Sequence, residues 1–548
     1  MKKIVYILAS VTFLSLTSCD LGYEPYTSIP EGEIDHIDGS PKNLTLGNYS
    51  LMKNWVENWH RITEYPGDNV ALSGSTTDNL MNNYNYQRIV NNSRVNNYWA
   101  YSYKIIAGVN STLTKLEEGK SQEDDQLIAE NLYIRSLMYF YLTNVFGRPY
   151  NQGASTNLGV PIKLKDDPYE NLPRSTVKQV YDQILTDLDK AEALINDESR
   201  DKVYASKEAV YALLSRVYLY MENNQKAIEY ANKVIDSGKF TLISKNEYKN
   251  FAVNAPEKNP ENIFSIKFVK NIDYPDGGWY TIGSMYANIN GSGWGEMYAS
   301  RKYLELVRKY PQDVRYSLIK PVLDAEKPNE LHAYYVKDNY QYASVVVTKS
   351  GTDYNYTESG VTKTLIKKSN GADAFQYFIN IEGKERTVLV DNKLANRNGY
   401  LKYYILKCSG QEDQSHLWSP VISRLSEMYL IRAEANAKLG NTNAALTDVN
   451  VIRERAGIPT GGLWTTANLG GLSALDVVMQ ERQLELAWEG HRKFDVFRNG
   501  LTMERQYPGT HLSGNNPFYT IAPTANEIVE YIPEQQINLS KGVLVQNP

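Results

Sequence analysis

Two stretches far apart in the chain carry the same helical pattern, and that repetition constrains the fold more than any other feature. In residues 206–237, Val210, Leu214, Val217 and Met221 form one apolar stripe; after a bend at "ENNQ" a second runs through Ala227, Ala231 and Val234. In residues 423–456, Met428, Ile431, Ala435 and Leu439 are followed, after "LGNTN", by Ala445, Val449, Ile452 and Ala456. Each is a helix–turn–helix unit of about 34 residues, the tetratricopeptide period. Ala433 and Ala437 add a small-residue face opposite Met428, the mark of a helix sandwiched between neighbours. At the bend the second unit has Gly440 and the first has Glu222.

Two further helices precede these units. In 125–146 a stripe runs through Leu127, Ile134, Met138, Tyr141 and Val145, and Gly147 with Pro149 stops it. In 175–195 the stripe is Val177, Tyr181, Ile184, Leu188 and Ala191, with Thr176 and Gln179 spaced as a capping box. Between the two units the pattern changes. Residues 240–410 hold short alternating runs such as "NIFSIKF", "YASVVV", "RTVLV" and "LKYYILK", separated by Gly, Asn and Asp. These read as strands, so a helical array is interrupted by a strand- and loop-rich insertion. The fold class is therefore mainly α, a scaffold of tetratricopeptide-like helix pairs with an irregular insertion.

The first residues read as an export signal. Lys2 and Lys3 precede a mostly apolar run from Ile4 to Leu16, shorter than the roughly 20 residues of a membrane span. The run ends Leu16-Thr17-Ser18-Cys19, a bacterial lipobox in which small residues admit the peptidase and the thiol takes a diacylglycerol. Several acyl chains hold stably where one holds marginally. The expected organisation is a signal peptide over 1–18, a lipidated tether over 19–45 rich in Gly and Pro, a helical region over 46–240, the insertion over 241–410 and a C-terminal helical region over 411–548. Cys408 is the only other cysteine, so with Cys19 lipidated no internal disulfide forms. A net charge of −5 with no basic face argues against nucleic-acid binding.

No catalytic constellation stands out. The six histidines lack metal-ligand spacing, and no P-loop, H-E-x-x-H or G-x-S-x-G appears; "GSGWG" at 291–295 is glycine-rich without a following Lys-Ser/Thr. The expectation is no catalytic residue, no metal and no cofactor. The most tempting cluster is "ERQLELAWEGHRKFDVFR", where Glu481, Glu485 and Glu489 recur every four residues near His491. Paired carboxylates are the equipment of glycoside hydrolysis. Against that, Arg482, Arg492 and Arg498 are close enough in sequence to pair with them, and the segment reads as structural.

These motifs resemble a known family. "RLSEMYLIRAEANAKLGNTNAALTDVNVIRERAG" followed by "ERQLELAWEGHRKFDVFR" is similar to the C-terminal signature of SusD/RagB proteins. "ENLYIRSLMYFYLTNVFGRPY", then "GVPI", resembles their N-terminal signature, and "YIPEQQINLSKGVLVQNP" resembles their closing segment. The resemblance runs in order over nearly the whole chain. It implies a non-enzymatic, surface-exposed outer-membrane lipoprotein that sits on a SusC-like TonB-dependent transporter and captures glycans, or in some members peptides. The alternatives weighed beside it are a secreted glycoside hydrolase and a lipid-anchored scaffold that binds peptides or proteins.

A neutral glycan offers hydroxyls and weakly apolar C–H faces, which an aromatic platform ringed by amides and charges would meet. Two segments have that composition. In 273–298, Trp279, Tyr280 and Trp294 sit among glycines; in 73–88 stand Asp78, Asn82, Tyr84, Tyr86 and Arg88. Trp99, Trp488 and the i,i+4 pair Trp55 and Trp59 lie in helical patterns and read as core.

Overall fold

The computed structural model describes residues 39–548 apart from 75, 77, 168, 198–199, 275–277, 280, 372–373 and 514–517. The lipobox and Cys19 lie outside the described residues. The chain is already helical at Ser40, inside the segment expected to be tether. Helix α1 (Ser40–Glu64) starts after Gly39, held at φ 76°, with a proline in its first turn. The apolar spacing that begins further on masks this start, since "SPKNL" reads as loop by composition.

A short α2 (Leu80–Tyr84) leads into α3 (Ser93–Leu113), whose cap Asn92 accepts hydrogen bonds from the Arg94 and Val95 amides. Helix α4 (Gln122–Phe146) is buried on nearly every side and ends at Gly147. Helix α5 (Val177–Leu194) carries the expected Thr176–Gln179 capping box. Helices α6 (Lys207–Tyr220) and α7 (Asn224–Ile235) are the first repeat unit. After the insertion, which holds α8 (Ile282–Tyr286) and α9 (Arg301–Val307), the second unit is α10 (Leu425–Lys438) and α11 (Thr442–Arg455), followed by α12 (Ala474–Glu485), α13 (Arg492–Arg498) and α14 (Glu534–Leu539).

The two units, distant in sequence, pack together. Arg432 on α10 donates to Asn232 Oδ1 on α7 at 2.7 Å, and Lys438 donates to Glu222 at 2.7 Å. Met428, Ile431 and Ala435 join the main core with α6, while Ala433 packs the other way against Leu446, Val477 and Val478. Helix α10 is therefore sandwiched, as its two faces imply. The bend positions also match: Gly440 has φ 80° and Glu222 has φ 60°. A glutamate takes the left-handed conformation that glycine adopts freely, against a cost of about 1–2 kcal/mol.

The expected strands form. The chain's β1 (Val70–Leu72), β2 (Asn262–Ser265), β3 (Met297–Ala299) and β4 (Ile319–Pro321) precede a meander of β5 (Leu331–Val336), β6 (Tyr342–Val346), β7 (Thr348–Ser350), β8 (Asp353–Glu358), β9 (Val361–Thr364), β10 (Ile366–Ser369), β11 (Phe375–Ile381) and β12 (Lys384–Asn392). Then come β13 (Asn396–Arg397), β14 (Tyr400–Leu401), β15 (Tyr403–Ile405) and β16 (Val421–Arg424). The meander splits into a five-stranded sheet, β10-β11-β12-β5-β6, and a three-stranded one, β7-β8-β9. They share a small core of Tyr335, Val347, Tyr356, Leu365 and Ile379.

The insertion is not separate from the helical region. Strand β1 pairs antiparallel with β3, Val70 opposite Ala299 and Leu72 opposite Met297, in a sheet ordered β1-β3-β15-β4. A core of Tyr65, Leu72, Tyr84, Tyr286, Met297, Tyr403 and Trp488 draws on all three of the sequence regions.

Candidate functional site

The strand pairing explains why two composition-matched segments belong to one neighbourhood. Residues 70–72 lie against 297–299, the Ser73 amide donates to the Glu296 carbonyl at 3.0 Å, and Asn398 Nδ2 donates to the Ser73 carbonyl at 2.9 Å.

The loop around α8 sets the geometry. Thr281 caps α8 by accepting from the Ser284 amide. The Ser284 hydroxyl donates to the Trp279 carbonyl, and the Ser284 carbonyl accepts from the Trp294 and Gly295 amides at 2.8 and 2.9 Å. One residue thus ties both ends of the loop, and the two indoles meet edge to face with centroids 5.4 Å apart at 72°. Both stay open to solvent, Trp279 at 43% and Trp294 at 55% of full exposure. The spacing is that of a favourable aromatic pair. The surrounding glycines are required. Gly293 has φ 95°, and a Cβ there would lie 2.4 Å from both the Ala287 carbonyl and His416 Nε2. Gly295 has φ 53° with the Tyr404 ring 2.9 Å from where its Cβ would be. A charged pair adjoins the loop in sequence: Arg397 pairs with Glu296 at 2.8 Å and keeps 41% of its side-chain surface exposed. Composition alone did not single out Arg397 and Asn398. The signal was the Asn398-Gly399 dipeptide, which turns the β13–β14 hairpin with φ 53° and 84°.

The remaining expected site residues have other surroundings. Tyr280 lies outside the described residues. Tyr84 is buried; its hydroxyl lies 2.7 Å from His511 Nδ1 and accepts from the Leu72 amide at 3.1 Å. Tyr86 is buried against Phe497, with the Arg505 guanidinium 5.6 Å from its ring. Neither ring has a face left for a ligand, which corrects that part of the expectation. Asp78 accepts from Arg94 Nε at 3.1 Å and from the Leu80 amide at 2.9 Å, starting α2. Arg88 stacks over Tyr531 at 4.2 Å. Asn82 is half-buried on α2, and its carbonyl accepts from the Gln87 amide. Trp55, Trp59, Trp99 and Trp488 are all core, as their spacing implies.

The acidic cluster is buried and paired, but not with its sequence neighbours. Helix α12 ends at Glu485, so Glu489 sits in the following turn rather than on the same helix face. Glu481 pairs with Arg315 at 2.6 Å and Arg453 at 3.1 Å. Glu485 pairs with Arg424 at 2.7 Å and Arg455 at 2.5 Å, and Glu489 with Arg424 at 2.8 Å and Lys407. The arginines expected as partners go elsewhere: Arg482 and Arg498 to Asp495 and Glu434, Arg492 to Asp68. Burial raises the pKa of Glu485, but Arg455, Arg424 and Arg315 outweigh it and hold the carboxyl well below the usual range. A permanently ionised, fully paired carboxylate is poorly suited to act as general acid. No helix among the described residues is long and apolar enough to cross a membrane.

Comparison with known proteins bears on both halves of the chain. The profile described as "Starch-binding associating with outer membrane" matches residues 43–219, and that of the SusD family matches residues 260–548. SusD-like protein P38 of Formosa agariphila is 25% identical over 545 residues, covering 92% of this chain and 96% of that protein. Among solved structures, a SusD superfamily protein from Bacteroides thetaiotaomicron has a TM-score of 0.70 at 26% identity, covering 93% of this chain and 99% of that one. A SusD superfamily protein from Bacteroides vulgatus has a TM-score of 0.67 at 26% identity, covering 93% and 98%. Helix pairs, inserted strands and signature segments in this order, matched along more than half the chain by one family profile, make this protein a member of the SusD family.

Proposed function

We propose that this protein is a non-catalytic, carbohydrate-binding lipoprotein of the outer-membrane surface, anchored through Cys19. In this reading it hands oligo- or polysaccharide to a SusC-like TonB-dependent transporter. The observation that carries the proposal is the exposed Trp279–Trp294 pair, held open by glycines beside Arg397 and Glu296. Two exposed indoles at an angle offer apolar surface to the C–H faces of sugar rings. The family description "Starch-binding associating with outer membrane" supports the ligand class and the location, and the lipobox supports the anchor.

The energetics fit capture rather than storage. Each stacking contact contributes on the order of 1 kcal/mol. A millimolar to micromolar Kd needs about 4–8 kcal/mol, which a few such contacts reach only together with hydrogen bonds to the sugar hydroxyls. Tethering beside a transporter supplies an effective concentration in the millimolar range, so weak binding suffices and release stays fast. The hydrolase alternative is disfavoured because Glu481 and Glu485 are buried among arginines.

Affinity electrophoresis through gels holding single polysaccharides tests this reading. At least one neutral polysaccharide should retard the parent protein, and the Trp279→Ala/Trp294→Ala variant should lose most of that retardation. Equal retardation of both would reject the tryptophan pair as the binding surface. Co-purification from outer membranes should recover a large barrel partner; recovery only as a free periplasmic protein would reject the anchored, transporter-coupled part.

A further inference from the structure

A cavity lies within the insertion, between the turn after α9 and the strand meander. It has a volume of about 280 Å³ and opens where three pieces meet: the turn after α9, the five-stranded sheet and the three-stranded sheet. This is at the small end of ligand pockets, which run roughly 300–1,000 Å³. It shares no residue with the tryptophan loop.

Its walls are rings. Tyr310 and Tyr316 come from the helical side, Phe375 and Tyr377 from β11, and Tyr354 from β8. Tyr354 and Tyr377 meet edge to face with centroids 5.0 Å apart. Most of these rings are fixed by bonds outside the cavity. The Tyr377 hydroxyl donates to the Thr352 carbonyl at 2.6 Å, the Tyr310 hydroxyl to the Asn370 carbonyl at 3.3 Å, and Lys367 sits 4.5 Å over Phe375. Tyr316 differs: its hydroxyl is buried and has no hydrogen-bond partner among the described residues. Gln376 also lines the cavity, and its side chain makes no hydrogen bond among the described residues.

The charges are already balanced. Arg308 pairs with Asp391, and Glu305 pairs with Arg301 at 2.7 Å. Lys367 pairs with Asp353 at 2.9 Å. A charged ligand would have to displace one of these partners. A neutral ligand with apolar faces and a rim of hydroxyls would meet the rings and the Gln376 amide without breaking any. We propose that this cavity is a second carbohydrate site that takes one or two neutral sugar rings, independent of Trp279 and Trp294. The ligand class rests on the carbohydrate-binding reading above; the geometry does not.

The test is isothermal titration of the full chain with a panel of neutral disaccharides: maltose, cellobiose, xylobiose and mannobiose. The Trp279→Ala/Trp294→Ala variant should still bind at least one of them, at one site per chain. Adding Tyr377→Ala should weaken that residual binding at least tenfold, and adding Gln376→Ala, which removes a side chain without a bond to the fold, at least threefold. Residual binding unchanged by both, or none of the four sugars bound by the tryptophan variant, overturns the second site. Loss of binding only in the tryptophan variant would leave the main reading standing and reject this one. Binding lost only through Tyr377 and Gln376 would do the reverse.

Discussion

The segment around α12 and the loop around α8 make opposite use of striking residue types. Around α12, carboxylates and guanidiniums are packed out of water: Glu261, Glu485, Glu489, Arg424 and Arg455 are buried and held to each other. Around α8, large indoles are left in water by backbone that only glycine accepts readily. Charge in the first region is structural, because its partners come from far along the chain and leave no lone pair for a substrate. Apolar surface in the second region is costly to expose, and that cost is the reason we propose it as the binding surface. On this proposal, functional appearance and functional position are inverted between the two.

The largest way to break the comparison is Glu485→Ala. It would take one carboxylate from Arg424 and Arg455, which keep Glu261 and, for Arg424, Glu489, and leave the buried network one positive charge in excess; loss of one partner of a buried pair typically costs about 3–5 kcal/mol. Urea unfolding should show a loss of about that size; a change under about 1 kcal/mol would mean that the network is not structural. Because neighbouring arginines hold the Glu485 and Glu434 carboxyls well below their unfolded values, their contribution is present above about pH 4.5 and is lost as pH falls through the folded values.

Glu64, at the end of α1, sharpens the same point with the opposite sign. Burial raises its pKa to about 7, against hydrogen bonds from the Gly490 and Trp488 amides and the nearby Lys407 charge. The folded protein then binds more protons than the unfolded one between about pH 4.5 and 7, so this group's contribution falls as pH rises through that window and is level above it. Burial and Arg61 hold His60 down at about 3, which tilts stability the other way up to about pH 6.5. The difference between the parent and Glu64→Gln isolates the carboxyl. The variant should gain on the order of 3 kcal/mol on the parent between pH 4.5 and 7.5. A difference that does not vary with pH would contradict the assignment.

Smaller effects are expected at the loop. Gly293→Ala forces a Cβ against the Ala287 carbonyl at a positive φ, a strain of about 1–3 kcal/mol. Glycan retardation should fall with it, and an unchanged melting temperature and affinity would show that the loop needs no glycine there. Trp279→Ala should change unfolding free energy by under about 0.5 kcal/mol, as befits an exposed residue. Its effect should appear instead in binding, at about 1 kcal/mol, roughly fivefold.

Much of the fold was legible because it rests on periodicity. The stripes in α4 to α7, α10 and α11 emerge as buried faces except at Leu439, which ends the α10 stripe and is exposed, and the Thr176 cap starts α5 where its spacing placed it. The partners of Glu481 were not legible, since Arg315 and Arg453 reach it through tertiary packing that no local spacing records. The same limit misassigned Tyr84 and Tyr86. Their environment is set by Phe497, Arg505 and His511, over 400 residues away, and in a chain with 43 tyrosines composition does not separate core from surface. The exposure of Trp279 and Trp294 was legible because flanking glycines cannot build a core. The start of α1 was hidden because Gly39 and Pro41, loop residues by composition, here begin a helix.

The most direct measurement sets the two regions side by side. Titrating one bound polysaccharide into Trp294→Ala and Glu481→Gln, with a melting curve for each, separates binding from structure. The account predicts that Trp294→Ala binds at least fivefold more weakly and melts like the parent, while Glu481→Gln melts lower and binds like the parent. Weaker binding by Glu481→Gln at unchanged stability, with Trp294→Ala binding normally, would contradict it.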